Sequence, residues 1–536
     1  MSSPLALAGV ALLSLTLATT ALAQRALDTF GLHSGLLWAE TITADELREH
    51  AFVLASDSLQ GRETGTAGQR LAAQYLALQM DMLGLPKVGA DYSYEQPIAF
   101  EKSSWDRIRL SVDGDEFRHL RDYYAFPAQN GVFDTVTTEV VFLGYGIDEA
   151  GGYSDYRDAG DVRGKVAVVL SGEPFGKTGR SAVTGTADTS AWSRELSLKR
   201  AAATAAGLDL LLVVEPNIQR AIAQNRARII DNSLKLSEPG TKTVARGTGV
   251  VYVSPKVFDA LAGKRRKAVI KARKRMAKKG RSAPVALDSE LDIDLQPLHY
   301  TLDGSNVLGY IRGSDPALAD EVVVVSAHYD HLGARGERVF NGADDNASGT
   351  STVLEIAEAL AAAQRAGQGP RRSVLCLLVS GEEKGLLGSE YYAANPVFPL
   401  ENTVADINID MIGRYDEAHA DSSAYIYVIG AGRISPDLDS VTRAMNDAYA
   451  RYELDYTYDA ADDPNRFYYR SDHYNFAKNG VPSVFFFSGV HADYHRPTDT
   501  PDKLDYDKMA IVGRHAFLIA WNLANRPEGL NRKEEE

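Results

Sequence analysis

Five residues in the second half of the chain look like one metal site: His328, Asp345, Glu383, Asp410 and His495. Two imidazoles and three carboxylates make a hard-to-borderline donor set that suits Zn²⁺. Directly before Glu383 stands a spare carboxylate, Glu382. A set of that composition reads as a hydrolase that activates water between two metals.

Each residue sits in a short segment with its own competing explanation. Ala327 to His331 follows a β-branched run; His328 is the ligand, His331 the alternative, and Asp330 is expected to orient His328 by accepting its other N–H. A surface-loop histidine is the plainer reading. Asn341 to Gly349 is a turn feeding a helix, where one aspartate of the pair Asp344/Asp345 could bridge two cations and where helix capping is the rival. Adjacent glutamates 382 and 383 point different ways, so one can bind metal while the other accepts protons; a solvated helix start is the alternative. Asp410 lies in the apolar run Asn408 to Ile412 and needs a partner, either a metal or Arg414. Tyr494 precedes His495 and could donate to a developing oxyanion, with His473 and His491 as competing imidazoles.

The elements around these segments alternate between strand and helix. Val322 to Ser326, Val374 to Ser380, Thr403 to Asp410 and Val481 to Ser488 read as strands. Ser348 to Ala363 and Gly385 to Ala394 read as helices. The pattern implies an α/β class, a mainly parallel mixed sheet sandwiched by helices, with ligands at the carboxyl ends of strands. Further upstream, Ala44 to Leu54 and Ala67 to Gly84 read as helices, the latter with Leu71, Tyr75, Leu78 and Met82 on one face. From Asp134 to Pro297 the texture is that of an inserted β-rich module. Within it Gly263 to Ser282 is strongly basic, read as a solvated helix face in preference to an anion or membrane contact.

At 536 residues the chain is too long for a single core. A net charge of −15 argues against nucleic acid or an anionic membrane as partner. Residues 1–23 read as a signal peptide with Ala21-Leu22-Ala23 before the cleavage point, although no Lys or Arg precedes the apolar segment. The one cysteine, Cys376, excludes a disulfide framework and reads as a core residue. A secreted or periplasmic protein fits these features. The expected division is 1–23 signal peptide, 24–133 and 298–526 main domain, 134–297 insertion and 527–536 disordered tail.

The segments AHYDHLG, NGADDNASGT, SGEEKGLLGS, NIDMIGR and YHRPTDTPDKL resemble the five signatures of the co-catalytic di-zinc exopeptidases. That family includes secreted bacterial leucyl-type aminopeptidases, glutamate carboxypeptidase and glutaminyl cyclase. The resemblance covers Asn306 to Leu523, with a weaker extension to Leu54–Gly65, and the insertion resembles a protease-associated domain. It implies two Zn²⁺, one on His328 and Asp410, the other on Glu383 and His495, with Asp345 between them. It further implies Glu382 as general base, Asp330 as partner of His328 and Tyr494 as oxyanion donor. The activity implied is removal of N-terminal residues from peptides. The rivals are a carboxypeptidase using Arg414 or Arg470, a glutaminyl cyclase, and a receptor-type homologue without catalysis.

Overall fold

The computed structural model describes residues 32–230, 234–237, 247–279 and 284–533. The expected signal peptide, 1–23, lies outside them. No described helix is long and apolar enough to cross a membrane.

The chain forms two compact units, one of residues up to Phe100 and from Leu302 onward, the other of Glu101–Thr301. The second is wider than the Asp134–Pro297 read from sequence. The chain enters and leaves it within two long, continuous strands, so no loop marks either boundary.

In the first unit, helices α1 (Leu32–Ala39), α2 (Ala44–Leu54) and α3 (Ala67–Met82) come first. Thr43 caps α2 by accepting the Glu46 N–H at 3.3 Å, while its hydroxyl donates to the Glu46 carboxylate. The strands are β1 (Glu95–Val112), β2 (Leu291–Ile311), β3 (Val322–His328), β4 (Ser373–Val379), β5 (Thr403–Ile409), β6 (Tyr425–Ile429), β7 (Glu453–Asp455) and β8 (Ser483–Phe487). Their order across the sheet is β7-β6-β8-β5-β3-β4-β2-β1. The centre, β4-β3-β5-β8, is parallel, and β2 and β6 flank it antiparallel.

Helices α4 (Gly349–Arg365), α5 (Leu387–Ala394), α6 (Pro436–Met445), α7 (His473–Ala477) and α8 (Tyr506–Asn525) complete the unit. The period of two along each strand sorts the core into layers. Val323, Val325, Cys376, Leu378, Ile407 and Ile409 pack with α2, α3, α4 and α8. Val324, Leu375 and Leu377 face Tyr392 of α5 and Phe476 of α7.

The structure adds one detail to the sequence reading and corrects another. The buried face of α3 is Gly68, Ala72, Ala73, Leu76 and Met80, whereas Leu71, Leu78 and Met82 are 47%, 54% and 72% exposed. Small side chains let the helix approach closely: a Cβ at Gly68 would run into the Leu59 carbonyl, and one at Gly309 of β2 into Met80. The tail is not loose through residue 533. Asn531 donates its backbone and side-chain N–H to Asp437 at 2.9 Å, and the Lys533 N–H reaches the Ile434 carbonyl at 2.8 Å.

The second unit is layered α/β rather than simply β-rich. Its sheet runs Val285–Leu287, Val140–Phe142, Val166–Leu170, Leu210–Val214, Gly249–Val253, Tyr123–Tyr124, with the middle four parallel. Parallel neighbours need crossovers, which helices such as Leu196–Ala205 and Ile218–Ile230 supply. The basic stretch forms the helix Arg266–Lys279, which buries Val269, Ala272 and Met276.

Candidate metal centre

The parallel strands deliver their carboxyl ends to one place. β3 ends in His328, Asp410 follows β5, and Glu382 and Glu383 follow β4. Asp345 arrives on the turn before α4 and His495 on the loop after β8. Met411 and His495 hold left-handed backbone angles (φ 54° and 56°), which L-residues adopt at a cost.

The five sequence-derived ligand candidates converge around Asp345. Its Oδ1 lies 3.4 Å from His328 Nε2, and its Oδ2 lies 3.1 Å from His495 Nε2. His328 Nε2 is 3.3 Å from Asp410 Oδ1, and His495 Nε2 is 3.4 Å from Glu383 Oε2. Two groupings could hold a metal ion: His328, Asp345 and Asp410, and His331, Asp345 and Glu383. His331 Nδ1 stands 2.8 Å from Glu383 Oε1 and 3.8 Å from Asp345 Oδ2. Donors bound to one tetrahedral Zn²⁺ are separated by roughly 3.3 Å, since each bond is about 2.0–2.1 Å. The His495 distances match that edge better than those of His331.

The field at the centre demands positive charge. Burial disfavours the His328 imidazolium, yet the Asp410 and Glu382 carboxylates hold its pKa well above the ordinary value. Burial likewise opposes His495, while the hydrogen bonds it donates to Asp345 and Glu383 raise it to about 10. Glu383 Oε1, though 2.8 Å from His331 Nδ1, makes no aligned hydrogen bond, and a cation would satisfy it. The residues therefore fit a divalent metal.

Glu382 stands apart from these contacts, its Oε2 4.0 Å from His328 Nε2. Burial, with Glu383, Asp410 and Asp472 nearby, pushes its carboxyl well above the usual range against the pull of His328. Asp330 does not meet the expectation made for it. Its carboxylate is 3.8 Å from His328 Nδ1, whose nearer neighbour is the Asp330 backbone carbonyl at 3.2 Å. The carboxylate instead accepts the Glu382 N–H at 3.2 Å and the Thr64 hydroxyl at 2.7 Å. Residue 330 sits beyond the end of β3, so strand alternation no longer aims it.

The competing residues lie elsewhere. Asp344 turns to His491 Nε2 at 3.2 Å and accepts the Gly413 N–H at 2.7 Å. His473 is stacked on Phe485, and burial lowers it to about 3. Arg414 pairs with Asp493 at 3.2 Å, not with Asp410, whose Oδ2 accepts the Ser471 hydroxyl at 2.7 Å.

Beside the ligands opens a cleft measuring about 350 Å³ out to open solvent. Met411, Phe467, Phe485, Phe487 and Val490 form its apolar wall, and Asp345, Glu382, Asp410, Arg470 and Tyr494 are its polar members. The Tyr494 ring stacks on His495 at 3.8 Å, and Arg470 Nη2 lies 3.4 Å from its hydroxyl. Burial, with Asp345 and Glu383 close by, raises the Tyr494 pKa, so the phenol keeps its proton.

Residues 306–520 match the model of peptidase family M28. This part of the chain belongs to peptidase family M28. Against curated relatives, the chain is 33% identical over 222 residues to a probable leucine aminopeptidase of Trichophyton verrucosum, covering 40% of this chain and 57% of that protein. It is 26% identical over 293 residues to a probable zinc metalloprotease of Pyrenophora teres f. teres, covering 48% of this chain and 59% of that protein. The chain thus spans less than two thirds of these relatives. In fold, it is similar to an aminopeptidase from Aneurinibacillus sp. strain AM-1, with a TM-score of 0.53, 18% identity, and 93% of this chain and 98% of the other covered.

Sequence reasoning missed one residue that organises the M28 domain's centre. Arg62 is fully buried, and its guanidinium donates to the carbonyls of Tyr329 at 2.7 Å, Asn341 at 2.8 Å and Gly342 at 3.0 Å, and to that of Leu54. It ties the end of β3 to the turn bearing Asp345. Burial lowers it to about 10, against the pull of Asp330, Asp345, Asp499 and Glu383, so it stays charged at neutral pH. Nothing in a Gly-Arg turn marks it for burial.

Proposed function

We propose that the M28 domain is a zinc aminopeptidase acting on peptides with an apolar N-terminal residue. The observation that carries this reading is the division of the Asp345 carboxylate, one oxygen toward His328 and Asp410, the other toward His495 and Glu383. Those five side chains would hold two zinc ions, with Asp345 shared. Zinc bound there would polarise the scissile carbonyl and make water acidic enough to lose a proton near neutral pH.

The chain's own groups supply the rest. Glu382 takes the proton from the attacking water and passes it to the leaving amine, a task for which its raised pKa suits it. Asp330 holds the Glu382 backbone in place. Tyr494, protonated, donates to the developing oxyanion. The wall of Met411, Phe467, Phe485, Phe487 and Val490 receives the first side chain, and the acidic ligands attract the free α-amine. The names of the curated relatives, probable leucine aminopeptidase and probable zinc metalloprotease, agree with this assignment.

Secretion rests on residues 1–23, and peptides are the partners proposed. Arg470, in the cavity wall, favours one second reading, capture of a substrate carboxylate as in a carboxypeptidase. Hydrolysis of leucine anilide and of an N-blocked peptide separates the two. Cleavage of the blocked peptide alone would overturn the aminopeptidase assignment.

A further inference from the structure

The second unit contains a cavity of its own, measuring about 890 Å³ out to open solvent. It lies where strands Val166–Leu170 and Leu210–Val214 end, the edge at which open parallel sheets leave a crevice for ligands. Leu170, Val214, Pro255 and Phe258 give it an apolar lining.

Two cations and one carboxylate, Asp259, line it, and a third cation lies behind them. Arg266 and Arg273 both line the cavity. They are seven residues apart on one helix, two turns along the same face. Arg266 pairs with Asp259 at 3.4 Å, but the two side chains are 62% and 55% exposed, so the pair is weak and exchangeable. Among the described residues Arg273 has no salt-bridge partner. It sits close enough to the Tyr145 phenol to oppose the rise that burial causes. Behind them Lys199, 2% exposed, donates to the Leu170 and Gly172 carbonyls at 3.2 and 2.5 Å and lies 5.9 Å from the Tyr145 ring. The nearby Asp155 is already engaged, accepting the Tyr145 and Ile147 N–H groups at 3.0 and 3.1 Å and the Tyr153 hydroxyl at 2.7 Å.

We infer that this cavity binds the free C-terminal carboxylate of a peptide ending in an apolar residue. Guanidinium groups match a carboxylate in a planar, bidentate way. The apolar lining takes the terminal side chain, which a bare phosphate would leave without use. The basic helix thereby acquires a function, independent of the metal centre, because every lining residue belongs to the second unit.

The test is calorimetric titration of the zinc-loaded full chain with N-acetyl-leucine, N-acetyl-leucinamide and inorganic phosphate. N-acetyl-leucine should bind with one-to-one stoichiometry and the amide at least tenfold more weakly. The double substitution Arg266→Gln/Arg273→Gln should weaken N-acetyl-leucine at least tenfold and leave leucine-anilide hydrolysis unchanged. Arg273→Gln alone should give a smaller loss. Equal binding of acid and amide, undiminished binding by the double variant, or the absence of saturable binding would each overturn the inference. Binding of phosphate without N-acetyl-leucine would overturn it in favour of an inorganic-anion site.

Discussion

Asp499 holds Asp345 from behind: its Oδ2 accepts the Asp345 backbone N–H at 3.2 Å and that of Asp344 at 3.0 Å. The carboxylate placed between the two imidazoles is therefore aimed by a second carboxylate that makes no contact with either of them. Burial, with Asp344 close by, raises Asp499 to about 6.

Asp499→Ala should loosen the turn on which Asp345 rides. Metal affinity should fall roughly 10–100-fold, the range seen when groups supporting a ligand are removed. Competition with a chelator reads this without reference to turnover. An unchanged affinity would show that the turn holds its shape unaided.

Glu382→Gln keeps the shape of the side chain and the backbone bond to Asp330 but removes the proton acceptor. Zinc content should be unaltered, while kcat drops about 10²–10⁴-fold. Near-normal hydrolysis would refute the general-base role.

Arg62→Met removes a buried charge with four carbonyl partners and leaves the carboxylates above it without a counter-charge. Loss of stability should reach about 3–5 kcal/mol. Urea titration of the metal-loaded protein measures it. A loss below 1 kcal/mol would mean that water replaces the guanidinium.

Removing metal with a chelator should lower the melting temperature. Asp345, Glu383 and Asp410 then face one another with only imidazoles between them, and binding energy that favours the folded state is withdrawn. An identical transition with and without chelator would argue that the centre holds no ion.

His515 is fully buried and its Nε2 lies 2.9 Å from the Thr442 carbonyl. Burial depresses it from 6.5 to about 4. Between those values the unfolded chain binds a proton that the folded one does not. Stability is thus complete above pH 6.5 and is lost as pH falls toward 4, by up to about 3 kcal/mol from this group. His515→Gln should flatten that part of the stability–pH curve.

The strands and the ligand segments were legible because their signals are local. Val322–Val325 and Val374–Val379 read as strands buried on both faces. His328, Asp410 and Glu383 follow such runs, so their place at a sheet edge follows from chain direction alone. Residue 345 was separable from 344 only through resemblance, and the structure turns Asp344 toward His491 instead. The helix α3 does share Leu71, Tyr75, Leu78 and Met82 along one face, but that face is not the one it buries. Close approach of the helix selects its smallest side chains instead, with Leu76 and Met80 beside them.

By itself the sequence determined which groups are available: two imidazoles and several carboxylates at strand ends, in an α/β pattern that aligns those ends. Local chemistry and a period of two carry that much. The tertiary structure decided what each group faces. Arg62, Asp499 and Ser471 come from segments distant along the chain, and their charges and hydrogen bonds exist only once the chain has brought them together. It likewise turned Asp330 from His328 to the backbone of Glu382, because an interaction beyond the end of a strand is set by the neighbours that surround it and not by the strand's own geometry.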